Sequence, residues 1–382
     1  MSPSVKPDLI CKEWLKMRSR LSKIVMTACL CLGMTAVVSS VAAASSSSGA
    51  ARASRVTPAV TSHQWGINVW IGYTCEPIST WEAWGRNIFK QIKALHANSV
   101  ALTIPFFTDG HTANTYYAKL QCNTEYDTPT PTGVGELVKL AHADGLHVFL
   151  RPFLSDSDMV KVNPLYWAGD IAPTDPQTWF TNYLTTLEPY LKMAQSLKVE
   201  HFAISTELAS MTSSTYWTFA ISAAKAIYKG DLVFTATWLN SPDKKVWPGS
   251  SAGIDTYPYL PSLNPNSKEK QILGAWDHLL LKFAIPGKLS TWTDDETGIA
   301  AQNGAYAAPN LTDLPLAQYP FNQNIQANWF TSACAWVKEH NMGGIYFSSV
   351  SISSGGLLTK PNPKETFEIQ PAGLVAIKHC FA

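Results

Sequence analysis

The feature that most constrains the fold is an alternation between short apolar runs and helix-like segments, which begins at Trp65. The runs are rich in β-branched and aromatic residues, and the segments between them repeat apolar residues every three to four positions. The predicted strands are Trp65–Tyr73, Ser99–Phe107, Leu146–Leu154, Phe202–Ile204, Leu232–Leu239, Gly253–Tyr257, Leu289–Thr293 and Gly344–Ser349. Eight such units in about 320 residues predict an α/β fold, a (β/α)8 TIM barrel.

No change in composition divides this region, so a single domain is predicted over residues 63–382. The alternative is a doubly wound parallel sheet. That fold usually has a glycine-rich phosphate loop after its first strand, and the stretch from Gly72 to Cys75 lacks one.

Several helix boundaries carry capping signals. The stretch Ser79-Thr80-Trp81-Glu82 has the spacing of a capping box, and Asp175-Pro176 pairs an N-cap with proline at the first helical position. Ser213 or Ser214 is predicted to cap the helix after the fourth strand. Gly145 is predicted to end the helix before the third strand.

The first 44 residues have the composition of a signal peptide. Basic residues from Lys12 to Lys23 precede an apolar run from Ile24 to Val41, and Ala42-Ala43-Ala44 offers a cleavage site. A flexible leader is predicted for residues 45–62. We therefore expect a secreted (extracellular) protein with no stable membrane association after cleavage. The alternative is an uncleaved membrane anchor.

The seven cysteines fall into two groups. Three lie within the first 44 residues, and four remain in the mature part, an even number that favours two disulfides in an exported chain. Of the three pairings, we favour Cys75–Cys122 and Cys334–Cys380. No C-x-x-C spacing is present, so a zinc site is not predicted.

The charge balance excludes some classes of partner. With 15% charged residues and a formal net charge of +1, the chain has no electrostatic reason to bind nucleic acid or an anionic membrane. Its 14 tryptophans and its Ser, Thr and Asn content suit a protein that handles a neutral polysaccharide.

Two carboxylates lie where a barrel enzyme has its active site, at the C-terminal ends of strands. By alternation, Ala203, Ser205 and Glu207 share one face, so Glu207 ends the fourth strand. The stretch from Lys288 to Ala300 delivers Glu296 at the seventh. Two carboxylates across a barrel mouth, about 5–5.5 Å apart in retaining enzymes, predict a glycoside hydrolase.

Alternation alone does not identify Glu296 as the active-site acid of the seventh strand, because Asp294 and Asp295 precede it. Asp294 is predicted to share the face of Glu296, so periodicity does not choose between them. A metal site built from the three acids is not expected, since consecutive strand residues point to opposite faces.

The other strand ends supply candidate substrate-binding residues. Aromatic rings stack on sugar faces, and amide and charged groups orient hydroxyls. The alternative for the aromatic residues is packing in the barrel, and for Arg151 it is an ion pair with an acid such as Asp156. The candidates are Asn68, Trp70, Arg151, Trp238, Asn240, Asp255, Tyr257, Trp292 and Phe347.

Three motifs resemble the glycoside hydrolase family 113-type barrels of clan A, whose known members are β-mannanases. They are ISTEL at Ile204–Leu208, GIDTYPYL at Gly253–Leu260 and ETGIAAQNGAYAAP at Glu296–Pro309. The resemblance implies that Glu207 is the acid/base, that Glu296 is the nucleophile and that Tyr257 lies near the nucleophile. The chain departs from many clan A relatives at strand eight. That strand ends with Trp in those relatives, whereas this chain has Phe347 and Ser348.

We therefore expect a secreted retaining glycoside hydrolase that cleaves a β-linked polysaccharide or oligosaccharide, with β-mannan as the first candidate. No metal or organic cofactor is required by such chemistry, and a monomer is expected. One alternative is a hydrolase of another β-glycan. A second is a non-catalytic carbohydrate-binding protein on a degenerate barrel, suggested by the departure at strand eight.

Overall fold

The strands of the chain close into a barrel in sequence order, each parallel to its neighbours, which confirms the predicted fold. The structure is a computed structural model, and it describes residues 63–72, 76–120, 127–237, 247–280, 289–311, 318–354, 363 and 366–382. The strands are β1 Gln64–Trp70, β2 Ser99–Phe106, β3 His147–Leu154, β4 His201–Thr206, β5 Asp231–Thr237, β6 Ser251–Asp255, β7 Trp292–Thr297 and β8 Gly344–Ser351.

The largest error in the predicted strands concerns β7. The residues Leu289–Thr291 form a single turn of 3-10 helix, and the strand begins only at Trp292. This shift matters because it places all three consecutive acids inside the strand rather than beyond its end.

Seven α-helices lie in the described part of the chain, outside the barrel wall. Their apolar faces pack against the outward-facing strand residues and form the main core. The helices are α1 Ile78–Ala94, α2 Pro131–Ala143, α3 Pro176–Leu197, α4 Tyr216–Ile227, α5 Glu269–Leu280, α6 Gln323–Glu339 and α7 Pro371–Phe381.

The capping predictions had mixed success. Asp175 caps α3 through a 3.2 Å bond from the backbone N–H of Thr178, and Gly145 follows α2 in the left-handed conformation, with φ of 71°. The capping box at Ser79–Glu82 is wrong, because α1 begins at Ile78 with no side-chain cap. The predicted serine cap of α4 is also wrong, since Thr215 precedes that helix and caps nothing.

The lower half of the barrel interior is closed by side chains. Its apolar layer consists of Ala101, Phe149, Ala203, Val233 and Tyr346. Tyr346 occupies the space beside Gly66, where a Cβ would lie 2.2 Å from the ring. The interior positions above this layer, towards the C-terminal ends of the strands, carry the polar side chains Asn68, Arg151 and Asp255.

A disulfide joins Cys334 in α6 to Cys380 in α7, as predicted, with an S–S distance of 2.10 Å. The predicted partners Cys75 and Cys122, the signal peptide and the leader lie outside the described residues. No helix in the described part of the chain has the length and apolarity needed to cross a bilayer.

Candidate active site

Glu296 reaches the barrel interior through a bulge in β7. Ile254 of β6 pairs with Asp294, but the next residue, Asp255, pairs with Glu296, so Asp295 is an extra residue on β7. Asp294 accordingly turns outward, where Thr256 donates a 2.8 Å hydrogen bond to its Oδ2. The prediction that Asp294 shares the face of Glu296 is therefore wrong, because the bulge interrupts the alternation.

The carboxylate of Glu296 accepts two short hydrogen bonds. Arg151 Nη1 donates to Oε2 at 2.5 Å, and the hydroxyl of Tyr257 donates to Oε1 at 2.5 Å. Burial, followed by the charge of Glu296, raises the pKa of Tyr257 well above its usual value, so the phenol keeps its proton. The side chain of Glu296 remains 23% exposed. Both oxygens are thus oriented, and the carboxylate still reaches solvent.

Arg151, Asn68 and Asp255 form a buried support below Glu296. The guanidinium donates from Nη2 to Oδ2 of Asp255 at 2.6 Å and from Nη1 to Oδ1 of Asn68 at 3.1 Å. All three residues are almost completely buried. These three residues were predicted to bind substrate; in the structure they hold Glu296 from beneath. The alternative for Arg151, an ion pair with an acid, is confirmed, but its partners are Asp255 and Glu296 rather than Asp156.

Glu207 lies just beyond the end of β4, in an unusual backbone conformation. A register shift between Ala203 and Ser205 puts Thr206 opposite the interior residue Thr235. The prediction that Ser205 shares a face with Ala203 is therefore wrong. Glu207 itself has a φ of 55°, in the left-handed region that few residues other than glycine adopt. Such outliers concentrate at functional sites.

The carboxyl group of Glu207 lies in a different electrostatic environment from the carboxylate of Glu296. It is half-buried, and within the described residues no cation or hydrogen-bond donor contacts it. Burial, then the negative charge of Glu296, raises its pKa to about 8, although Arg151 opposes the shift. Glu207 therefore carries a proton at neutral pH.

Two aromatic side chains, one from β1 and one from β3, line the mouth of the barrel. Trp70 follows Asn68 by two residues on β1, and Phe153 follows Arg151 by two on β3, so both face inward at the top of the barrel. Their rings meet edge to face, with centroids 5.9 Å apart. Both remain half-buried, which fits the predicted binding role of Trp70.

Two other predicted aromatic residues lie elsewhere. Trp292 is 1% exposed and begins β7, at the end of the strand away from the mouth. Phe347 is fully buried between Phe330 and Phe381 of the surrounding helices. Neither ring can stack on a sugar, so both predictions are wrong. Trp238 and Asn240 lie outside the described residues.

Three residues of the site were missed. Phe153 could have been found, because it shares the face of Arg151. Phe367, in the connection between β8 and α7, stacks on Tyr257 with centroids 6.4 Å apart and remains half-buried. Asp295 was assigned no role. No local sequence pattern indicated a role for Phe367 or Asp295.

In the described part of the chain, no three Asp, Glu, His or Cys residues are arranged to hold a metal ion. The site instead pairs an ion-paired carboxylate with a protonated carboxyl group at one opening. Such a pair can attack an electrophilic carbon and protonate a leaving oxygen.

The sequence matches the family described as Glycoside Hydrolase Family 113 over residues 76–348. A search of curated proteins found no match.

Similar solved structures include a GH113 β-1,4-mannanase complex, with 14% identity, a TM-score of 0.64, and coverage of 84% of this chain and 99% of that one. Another is a GH113 β-mannanase from Alicyclobacillus acidocaldarius in complex with ManMIm, with 15% identity, a TM-score of 0.64, and coverage of 85% and 100%. The chain therefore belongs to Glycoside Hydrolase Family 113 and is a glycoside hydrolase on a (β/α)8 barrel.

Proposed function

We propose that this protein is a secreted, retaining glycoside hydrolase that cleaves β-mannan, with Glu207 as the acid/base and Glu296 as the nucleophile. The observation that carries the proposal is the difference between the two carboxyl groups. Glu296 accepts hydrogen bonds from Arg151 and Tyr257, whereas the raised pKa of Glu207 keeps it protonated. A pair of carboxyl groups in different environments is typical of retaining glycosidases.

In the first step, Glu207 gives its proton to the glycosidic oxygen while a carboxylate oxygen of Glu296 bonds to the anomeric carbon. The bond between that carbon and the leaving oxygen breaks, and a glycosyl ester forms on Glu296. In the second step, the Glu207 carboxylate takes a proton from water as the water oxygen attacks the same carbon. The ester bond breaks, and both carboxyl groups return to their starting states.

Mannan is favoured as the substrate by the β-mannanases of the same family that share the fold. The half-buried rings of Trp70, Phe153 and Phe367 supply flat apolar surfaces for pyranose faces at the mouth. Export is supported by the signal-like first 44 residues, and we propose that the mature enzyme acts as a monomer. N-terminal sequencing of secreted protein and size-exclusion chromatography test these two points.

The substrate is tested by incubating the enzyme with mannan, glucomannan, β-glucan, xylan and chitin and measuring new reducing ends. Release from mannan and glucomannan alone is the expected result. Activity confined to another polymer would overturn the mannan assignment but leave the mechanism intact. Binding of one or more of these polymers, with no new reducing ends from any of them, would overturn the mechanism.

The roles of the two acids are tested with Glu207→Ala and Glu296→Ala. Each should reduce activity on polysaccharide by at least about 10³-fold. With an activated aryl β-glycoside, azide should yield an α-glycosyl azide from the Glu296 variant and a β-glycosyl azide from the Glu207 variant. Glu188→Gln, an exposed acid of α3 paired with Lys192, is the control and should be fully active. Identical azide products from both variants would exclude the assigned roles.

A further inference from the structure

Asp295 lies inside the barrel directly before Glu296, and nothing in the proposed chemistry uses it. Its side chain is fully buried. Thr235 of β5 donates to its Oδ2 at 2.6 Å, and Thr293 of β7 donates to its Oδ1 at 2.5 Å. Both oxygens are therefore anchored, one of them to a strand two places away in the barrel.

The intervening strand makes room for this carboxylate. Residue 253 on β6 is glycine, and a Cβ there would lie 1.7 Å from Oδ2 of Asp295. Any side chain at this position would occupy the space that the carboxylate fills. The absence of a side chain at Gly253 of β6 thus permits the contact between Asp295 and Thr235.

The anchored carboxylate has a direct consequence for Glu296. In a regular strand, consecutive residues point to opposite faces, so an inward Asp295 would send Glu296 outward towards the helices. The bulge makes both residues point inward, since Asp255 pairs with Glu296 and Ile254 with Asp294. The bulge is therefore what brings Glu296 to the mouth.

A second connection runs through the backbone of Asp295. Its carbonyl oxygen accepts a 3.0 Å hydrogen bond from Nδ2 of Asn68. This bond fixes the orientation of the Asn68 amide, whose Oδ1 accepts from Nη1 of Arg151 at 3.1 Å. The same Nη1 donates to Glu296. Asp295 is thus linked to the carboxylate of Glu296 both along the chain and through Asn68 and Arg151.

We propose that Asp295 is a positioning residue for the nucleophile: its carboxylate, bound by Thr235 and Thr293 in the gap left by Gly253, holds the β7 bulge that aims Glu296 across the mouth. The inference rests on the proposed role of Glu296 and adds a residue that touches neither substrate nor reacting atoms. A misplacement of the attacking oxygen by about 1 Å can reduce the rate about 10²-fold.

The test compares Asp295→Ala with Asp294→Ala. Both remove a fully buried carboxylate from β7, but only the first releases the bulge anchor. The substrate is 2,4-dinitrophenyl β-mannobioside, whose leaving group departs without protonation, so the first release of dinitrophenol reports attack by Glu296 alone.

Asp295→Ala should slow this release about 30- to 100-fold with KM changed less than about threefold. Asp294→Ala should stay within about threefold of wild type in both quantities. Asp295→Asn, which keeps the shape and one acceptor, should recover part of the rate. A purely structural role would instead lower the unfolding temperature of both alanine variants equally and leave the rate of the folded protein unchanged.

If Asp295→Ala does not fold, Asp295→Asn and Thr235→Val replace it, since each weakens the anchor while keeping the side-chain shape. Wild-type rates in the folded variants would overturn the inference while leaving the proposed function intact. Failure of the wild-type enzyme to release dinitrophenol, together with failure to cleave any of the five polymers, would overturn the proposed function, and the inference with it.

Discussion

Arg151 donates a 2.5 Å hydrogen bond from Nη1 to Oε2 of Glu296 from a position completely shielded from solvent. Burial alone would lower the pKa of the guanidinium, but the charges of Asp255 and Glu296 outweigh burial and raise it. Arg151 therefore stays charged and gives the carboxylate a fixed partner.

Replacing Arg151 by lysine should reduce kcat about 10²- to 10³-fold, because an ammonium cannot bond Glu296 and Asp255 with the same fork geometry. KM should change little, since Arg151 is buried away from substrate. Steady-state kinetics on mannan measures both quantities. Arg86→Lys, at an exposed ion pair with Glu82, is the matched control and should behave as wild type. Near-normal kcat in Arg151→Lys would contradict the role assigned to this residue.

Tyr257→Phe should lower kcat about 10- to 100-fold, because it removes the hydrogen bond to Oε1 of Glu296, and bonds to charged groups contribute about 1.5–3 kcal/mol. The matched control is Tyr228→Phe. The hydroxyl of Tyr228 is also buried, but it donates to the backbone of Val199. That variant should lose stability without losing kcat. Equal effects of both substitutions on kcat would show that the loss is not specific to the site.

The pH dependence should reflect Glu207. Its pKa of about 8 means that the folded enzyme carries the catalytic proton below that pH and loses it above. Hence kcat/KM for mannan should fall as the pH rises through about 8, whereas glycosylation by the dinitrophenyl substrate should not. Glu207→Gln should remove this basic limb from its residual activity. A limb near pH 5 would contradict the assignment of the proton to Glu207.

The strands were predictable because parallel barrel strands are buried on both faces and read as apolar runs. β7 was misplaced because Leu289–Thr291 looks like the start of such a run yet forms a 3-10 turn. The two carboxylates were predictable from strand ends together with family motifs.

The face of Glu296 was not predictable. It depends on the bulge at Asp295, and therefore on Thr235, which lies 60 residues away in sequence. Alternation assumes a regular strand, and no local residue pattern signals that this strand is irregular. The same limit explains why Asn68, Arg151 and Asp255 were taken for cleft residues. The sequence shows that they face the barrel interior, but it does not show how far below the mouth they lie.

Glu207 should also destabilise the fold as the pH rises. Its pKa is raised from the ordinary value of 4.5 to about 8, so between these values the unfolded chain releases a proton that the folded protein keeps. Stability therefore falls with increasing pH in this window. Each unit of pKa shift corresponds to about 1.4 kcal/mol, and solvent screening of a half-buried group reduces this value.

We expect Glu207→Gln to raise the free energy of unfolding above that of wild type by about 1–2 kcal/mol more at pH 8 than at pH 4.5. Urea unfolding at the two pH values measures this difference. The exposed variant Glu188→Gln should show no such difference. A gain that is equal at both pH values would mean that the titration of Glu207 is not its source.

Trp70, a proposed sugar-binding residue, and Phe347, a core residue, should respond differently to truncation. Trp70 is half-buried at the mouth, so Trp70→Ala should raise KM for mannan oligosaccharides about tenfold, equivalent to about 1.4 kcal/mol of binding, and leave kcat within about threefold. Phe347 is fully buried, so Phe347→Ala should lower the free energy of unfolding by about 3–5 kcal/mol and leave KM unchanged wherever the protein is folded. Kinetics and urea unfolding of both variants provide the comparison. An unchanged KM in Trp70→Ala, with a stability loss like that of Phe347→Ala, would place Trp70 in the core rather than in the binding surface.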